Sequence, residues 1–481
     1  MSAPPPTSTP TLLKTQPTQL IRGLNAWHAT AIVAGTIIGS GIFLVPAEMM
    51  QAVGSARLVY LAWVVGGLLS FFGALTYAEL GAMRPYAGGE YVYVRDAYGP
   101  LPAFLYGWTW FLIAKPASIA TVTAGLVRVL GTFSAFHFLP QTLFTLHVSS
   151  SRALVINYGH VFAIAANVFI TGLNYIGVRK AGAFQLGFTV LKAGMIVGIA
   201  VLAFGATGGS WTNFGTSFAG ATGGMAGFMA ALGAALWAYD GWNDLNMVSE
   251  EIERPERNIP LALVLGVAVV AVLYMGMNAG IQYAIPASAI ARAAVPAAAA
   301  SEAALGRIGI SLVSVGMMIS MLATLNGTVM SGGRVPFAVA RDGYFFRALG
   351  EVHPRFHTPG LALVIQAALA VLLILVGGAF RELFSLAIFA EWLFYMVATS
   401  TIFLFRWREP QASRPYRAAG YPFVPALFIA TAAVLLCYTF ANNLQNSMAG
   451  VVVILLGIPV YLWFARRRVN AGSGSNPRPL P

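Results

Sequence analysis

An all-α polytopic membrane protein is the fold class this sequence predicts, on three observations. The 481 residues are 58% hydrophobic and only 9% charged, against about 25% charged in a soluble domain. Mean hydropathy is +0.74. Apolar runs of about 18 residues or more, each long enough for a ~30 Å hydrocarbon core, recur from end to end.

Taken in order, the opening "MSAPPPTSTPTLLKTQPTQ" is polar and rich in Pro and Thr, and reads as a disordered tail. It lacks the charged segment and apolar core of a cleaved signal peptide. Twelve spans follow, at residues 24–52, 57–81, 100–131, 153–175, 182–206, 222–247, 258–285, 308–336, 360–378, 382–405, 421–442 and 446–465. The final "NAGSGSNPRPLP" reads like the first tail. The net charge of +12 follows topology and implies no nucleic-acid partner. With the N-terminus inside, twenty of the 28 Lys and Arg fall in cytoplasmic segments. Six fall outside (Arg57, Arg128, Arg152, Arg292, Arg307 and Arg381), and Lys115 and Lys192 lie within spans. This is the positive-inside bias, with both termini cytoplasmic. The single cysteine, Cys437, is expected to be a packed thiol in span 11. The six histidines share no helix face at ligand spacing, so neither a metal nor a cofactor is expected.

Two spans are broken at their centres. Span 1, "TAIVAGTIIGSGIFLVP", carries Gly39-Ser40-Gly41, although each interior glycine costs a helix about 1 kcal/mol relative to Ala. Span 6, "GGMAGFMAALGAALWAYDGWNDLNMVSEE", carries Asp240-Gly241 between Tyr239 and Trp242. If span 6 opens a second half, the breaks occupy equivalent places, which is the pattern of a transporter binding site. An unwound segment frees backbone groups that hydrocarbon does not tolerate unless a ligand or water meets them. The half-helix beyond the break also presents N–H groups and a positive dipole end to an anion. The glycines are thus expected to cradle a carboxylate; a small-residue packing face is the alternative.

Further stretches are familiar: "PAFLYGWTWFLIAKPAS" in span 3, "NYIGVRKAGAFQ" after span 4, and "LNGTVMSGGRVPFAVARDGYFFRALGEVHPRFHTP" from span 8. With "GTIIGSGIF" and "WAYDGWNDLNMVSEEIERPERNIPLAL", they resemble the amino acid–polyamine–organocation transporter superfamily, in its L-type amino-acid transporter branch, over most of residues 24–406. The resemblance implies a LeuT-type fold: a five-helix repeat (23–206), an inverted second repeat (222–406) and two peripheral helices (421–466), between tails 1–22 and 467–481.

It also implies site residues. Backbone amides of Ile38, Gly39, Ser40, Gly41 and Ile42 would hold a substrate carboxylate. Carbonyls at Trp237, Ala238 and Asp240 would accept from its α-ammonium, and the Trp237 ring would gate the outer side unless it only packs. Asp240 stands where the branch usually has glycine. A carboxylate at that depth needs a partner, a proton, or the N–H groups of Trp242 and Asn243 to cap. Lys192, mid-span in helix 5, falls where sodium-coupled relatives hold the ion, and would replace it or carry a proton. Lys115, before Pro116, matches a basic residue of relatives and has no assigned role. Asn243, Asn326 and Glu391 either line the pathway or bond helix to helix. The acidic loop around Glu250 and Glu251 is expected to be solvated, with Arg334 or Arg341 as partners in an inner gate.

The expected function is secondary, sodium-independent amino-acid transport, by exchange or proton linkage, of neutral L-amino acids. A polyamine or cationic amino-acid exchanger is the nearest alternative, and an accessory or sensor subunit the one of another class. No Walker A motif or nucleophile–base arrangement supports an ATPase or enzyme. Animal L-type transporters join a single-span glycoprotein through a cysteine between helices 3 and 4. Residues 132–152 hold none, so no such disulfide-linked partner is expected.

Overall fold

The computed structural model describes residues 19–149, 152–376, 380–442 and 444–472. The expected tails therefore lie largely outside the described residues. The chain is mostly helical, and eight of its segments are long and apolar enough to cross a membrane, among them Ala26–Val53, Pro100–Leu130, Val178–Phe204 and Pro255–Ala284. Gly224–Ala238 and Gly360–Val376 are shorter apolar helices. It is a multi-pass membrane protein.

Local chemistry sets the ends and breaks. Asn25 starts the Ala26–Ile37 helix by accepting from the amides of Trp27 (3.0 Å) and His28 (3.1 Å), while His28 Nδ1 accepts from the Asn25 amide. The helix stops at Ile38 and restarts at Gly41. In span 3 a π-helical turn, Trp110–Ala114, immediately precedes Lys115-Pro116. Proline has no N–H and its ring crowds the carbonyl four residues back, and widening the turn relieves that conflict.

Three expectations change. Residues 153–157 are not the start of span 4: Arg152–Asn157 pairs antiparallel with Thr142–Ser149, and the helix begins at Tyr158. The apolar, partly β-branched "ALVIN" suits a strand once a partner strand is beside it. Span 6 breaks where expected, between a helix over Gly224–Ala238 and a separate helical turn over Asp244–Met247. Span 12 is two helices, Leu444–Leu455 and Gly457–Gly472, so residues 467–472 of the expected tail are helical. Cys437 is exposed, a free thiol on an outer helix face instead of a packed one.

The Ala26–Ile37 helix packs against Pro255–Ala284, Val178–Phe204 and Arg307–Gly332, whereas Gly41–Val53 packs against Gly224–Ala238. The two breaks are thereby brought side by side. Beneath them lies a fully buried aromatic cluster, in which Trp63, Tyr239 and Tyr274 meet with ring centroids 5.2–5.6 Å apart.

Candidate functional site

At the first break the hydrogen-bond ladder runs out in a definite order. The Ile38 amide still reaches Ala34 O (3.0 Å), and the Gly39 amide turns back to Ile37 O (2.8 Å). Both of these expected anion donors are therefore already used. The amides of Ser40, Gly41 and Ile42 open the next helix, where the first turn has no intrahelical acceptors. Gly39 and Ser40 are partly exposed, whereas Gly41 and Ile42 are buried. A Cβ on Gly41 would sit 3.2 Å from Ala238 Cα and Cβ and 3.5 Å from the Trp237 ring. Glycine is what lets the two breaks touch.

Lys192 crosses to the same break. Its Nζ donates to Gly35 O (2.6 Å) and Ile38 O (2.5 Å). Ser320 and Thr324, from the Arg307–Gly332 helix, also donate to Ile38 O, at 2.8 and 3.1 Å. These carbonyls lost their helical partners where the chain unwound. Lys192 and two hydroxyls replace them, joining three helices at one point.

The second break turns at Gly241, whose φ of +108° and approach of 2.9–3.2 Å to Thr36 exclude a side chain. Tyr274 Oη bridges the breaks, donating to Ile37 O (3.1 Å) and Ala238 O (3.0 Å). The Trp237 carbonyl accepts from the Asp240 amide at 3.3 Å. Asp240 takes the Tyr395 hydroxyl (2.9 Å) and the Gly241 amide, not the Trp242 and Asn243 amides.

Beyond Asp240 lies a group of charges that extends well past the residues singled out in the sequence. Lys115 forms a buried ion pair with Asp244 Oδ1, and its Nζ lies 5.4 Å from the Trp110 ring centre. Asn243 donates to Glu90 Oε1 (2.7 Å) and accepts from Tyr395 (3.1 Å). Tyr106 donates to the other Glu90 oxygen at 3.3 Å. Glu90 heads the short Glu90–Tyr98 helix between spans, and burial pushes its carboxyl up to about 7. Glu391 faces this group and is partly accessible. The only sequence signal for Asp244 was its place four residues after Asp240 in "DGWND".

Asn326 is fully buried and bonds helix to helix, donating to Gln185 Oε1 (2.7 Å) and Ala181 O (3.1 Å) and accepting from Asn174 (2.9 Å). In the loop after the second break, both anticipated arginines are engaged. Arg334 grips Glu251 with two bonds (2.8 and 3.1 Å), both side chains wholly buried, and Arg341 holds Glu250 at 2.9 Å. Burial drives the Glu251 carboxyl above its ordinary range, and Arg334 partly counters it. Glu251 is therefore enclosed, not solvated as the loop's composition implied.

Four similarities bear on this arrangement. The profile of the family described as amino acid permease matches residues 24–464. The serine/threonine exchanger SteT of Bacillus subtilis (strain 168) is 32% identical over 95% of this chain and 100% of its own length. The human cystine/glutamate transporter is 31% identical over 93% of this chain and 86% of its own. The human b(0,+)-type amino acid transporter 1 is 30% identical over 93% and 88%.

Proposed function

The chain belongs to the amino acid permease family, and from that premise we propose that it is a secondary amino-acid transporter working by alternating access. Its broken helices bind the substrate backbone. The amides of Ser40, Gly41 and Ile42 receive the carboxylate, and carbonyls at Trp237 and Asp240 receive the α-ammonium, with Ala238 O sharing its remaining lone pair. The observation that carries the reading is the contact of the two breaks at Gly41, which sets unpaired amides against the second break.

The rest of the reading follows from this assignment. Twelve spans form a LeuT-type pair of inverted repeats (23–206 and 222–406) with peripheral helices at 421–466, both termini are cytoplasmic, and the protein sits in the cell membrane. Transport is sodium-independent, by exchange or proton linkage, and favours neutral L-amino acids. It proceeds without a disulfide-linked partner. Trp237, whose ring borders Gly41, acts as the outer gate, and the Glu251–Arg334 and Glu250–Arg341 pairs hold the inner one. A cationic amino-acid or polyamine exchanger is the second reading, favoured by the excess of carboxylates near Asp240.

Purified protein in liposomes preloaded with an unlabelled amino-acid mixture should take up labelled serine, threonine or another neutral amino acid from a panel. Uptake confined to arginine, lysine or polyamines would select the second reading. No uptake or binding of any amino acid or amine would refute both.

A further inference from the structure

The charges beyond the second break do not balance. Around Asp240 the described residues place four carboxylates, Glu90, Asp240, Asp244 and Glu391, against one cation, Lys115. Lys115 is committed to Asp244, and both are almost fully buried. Of the remaining three carboxylates, Asp240 has the neutral donors Tyr395 and the Gly241 amide, Glu90 has Asn243 and Tyr106, and none forms an ion pair among the described residues. Uncompensated negative charge in a membrane interior is costly enough that such groups take up a proton or a cation.

Asp244 is already engaged, with Lys115 on Oδ1 and the Ser331 hydroxyl beside it, so the place for a proton lies on the carboxylates that no cation pairs, Asp240, Glu90 and Glu391. The groups facing Glu391 from the neighbouring elements are Glu90, Lys115, Asp240, Asp244 and the phenol of Tyr395, while the Tyr77 phenol lies near Glu90 and Asp240. No second cation is among them. Asp240 and Glu391 are partly accessible while Glu90 and Asp244 are enclosed, so a proton has a way in from the break.

We propose that this cluster holds a proton when the transporter is empty and releases it when substrate binds. The inference rests on the transport reading above. A substrate ammonium seated on the carbonyls at the second break brings a positive charge beside Asp240, which favours the ionised carboxylate and expels the proton. Proton and substrate then compete. One proton offsets one of these charges in the empty carrier on its return, and the substrate ammonium offsets it in the loaded carrier. The sign is definite: lowering the pH protonates the cluster and weakens substrate binding, and binding acidifies the medium.

The test uses full-length protein in detergent, a weakly buffered solution with an indicator dye, and serine or whichever amino acid binds. Binding should release protons, and Kd should rise as pH falls from 8 to 5, by up to about tenfold per pH unit at the acid end. Glu391→Gln should flatten this profile and reduce the protons released, and Glu391→Asp should restore part of both. Thermal unfolding of each variant shows that the fold persists. A wild-type Kd independent of pH with no proton release would overturn the proton site while leaving transport standing, and proton uptake on binding would reverse the proposed order. Full wild-type pH dependence in both Glu391→Gln and Glu90→Gln would remove the cluster as its source. Failure of every amino acid and amine to bind would overturn the transport reading as well.

Discussion

On the proposed transport reading, replacing sodium by choline should leave the initial rate of amino-acid uptake unchanged, because Lys192 would occupy the place of a sodium ion. The position is defined by the carbonyls that the break releases. Gly35 O would ordinarily accept from the Gly39 amide, but that amide turns to Ile37 O instead. Lys192 Nζ takes Gly35 O at 2.6 Å and Ile38 O at 2.5 Å. A sodium ion on the same oxygens would lie within about 4 Å of an ammonium. Two unit charges at that separation repel by about 4 kcal/mol at an effective dielectric of ~20, about a thousandfold in affinity. A neutral amine would still occupy the space and both carbonyls. Lys192→Ala leaves Gly35 O with only a long contact to Thr324 (3.4 Å). An unsatisfied buried carbonyl costs roughly 1–3 kcal/mol, so the variant should unfold at lower temperature and transport slowly by loosening the first break. Proteoliposome uptake in matched sodium and choline buffers decides the matter. Strict dependence on sodium in the wild-type protein would refute the reasoning.

Three further outcomes follow from the same contacts. Gly41→Val should abolish substrate binding in a protein that still inserts, since even a Cβ there meets Ala238 at 3.2 Å; wild-type affinity by calorimetry would remove Gly41 from the cradle. Asp240→Asn keeps a partner for Tyr395 but removes the charge, so a carboxylate that contacts the substrate cation should lose well over twofold in affinity. Unchanged affinity would confine Asp240 to a structural role, and a best substrate of arginine or lysine would overturn the preference for neutral amino acids. Glu251→Gln strands the buried Arg334 charge, a loss of about 3–5 kcal/mol. The variant should show a clearly lowered thermal midpoint, and an unchanged one would mean that the pair is not enclosed in solution.

The membrane class, the two breaks and the intramembrane lysines were legible because each is a local property. Hydropathy is read residue by residue, and Gly39-Ser40-Gly41 and Asp240-Gly241 disturb helices wherever those helices pack. Lys192 could be recognised as exceptional by its depth alone. Its acceptors could not, since Gly35 O and Ile38 O become available only when the Gly39 amide turns inward and the Val178–Phe204 helix lies against the break. The pairing of Thr142–Ser149 with Arg152–Asn157 was not legible for the same reason: "ALVIN" has no strand identity until Thr142–Ser149 pairs with it. Asp244 and Glu90 carried no signal of their own, and Glu251 stood in a loop whose composition implied solvation. Folding encloses Glu251 with Arg334, and Asp244 and Glu90 with one lysine and two further carboxylates. By itself, then, the sequence determined what each segment is made of and where its backbone must break. Which charges share a low-dielectric space was decided only by the tertiary structure, because the cost of a charge depends on its neighbours and its access to water, and residues 129 positions apart, such as Lys115 and Asp244, become neighbours only through packing.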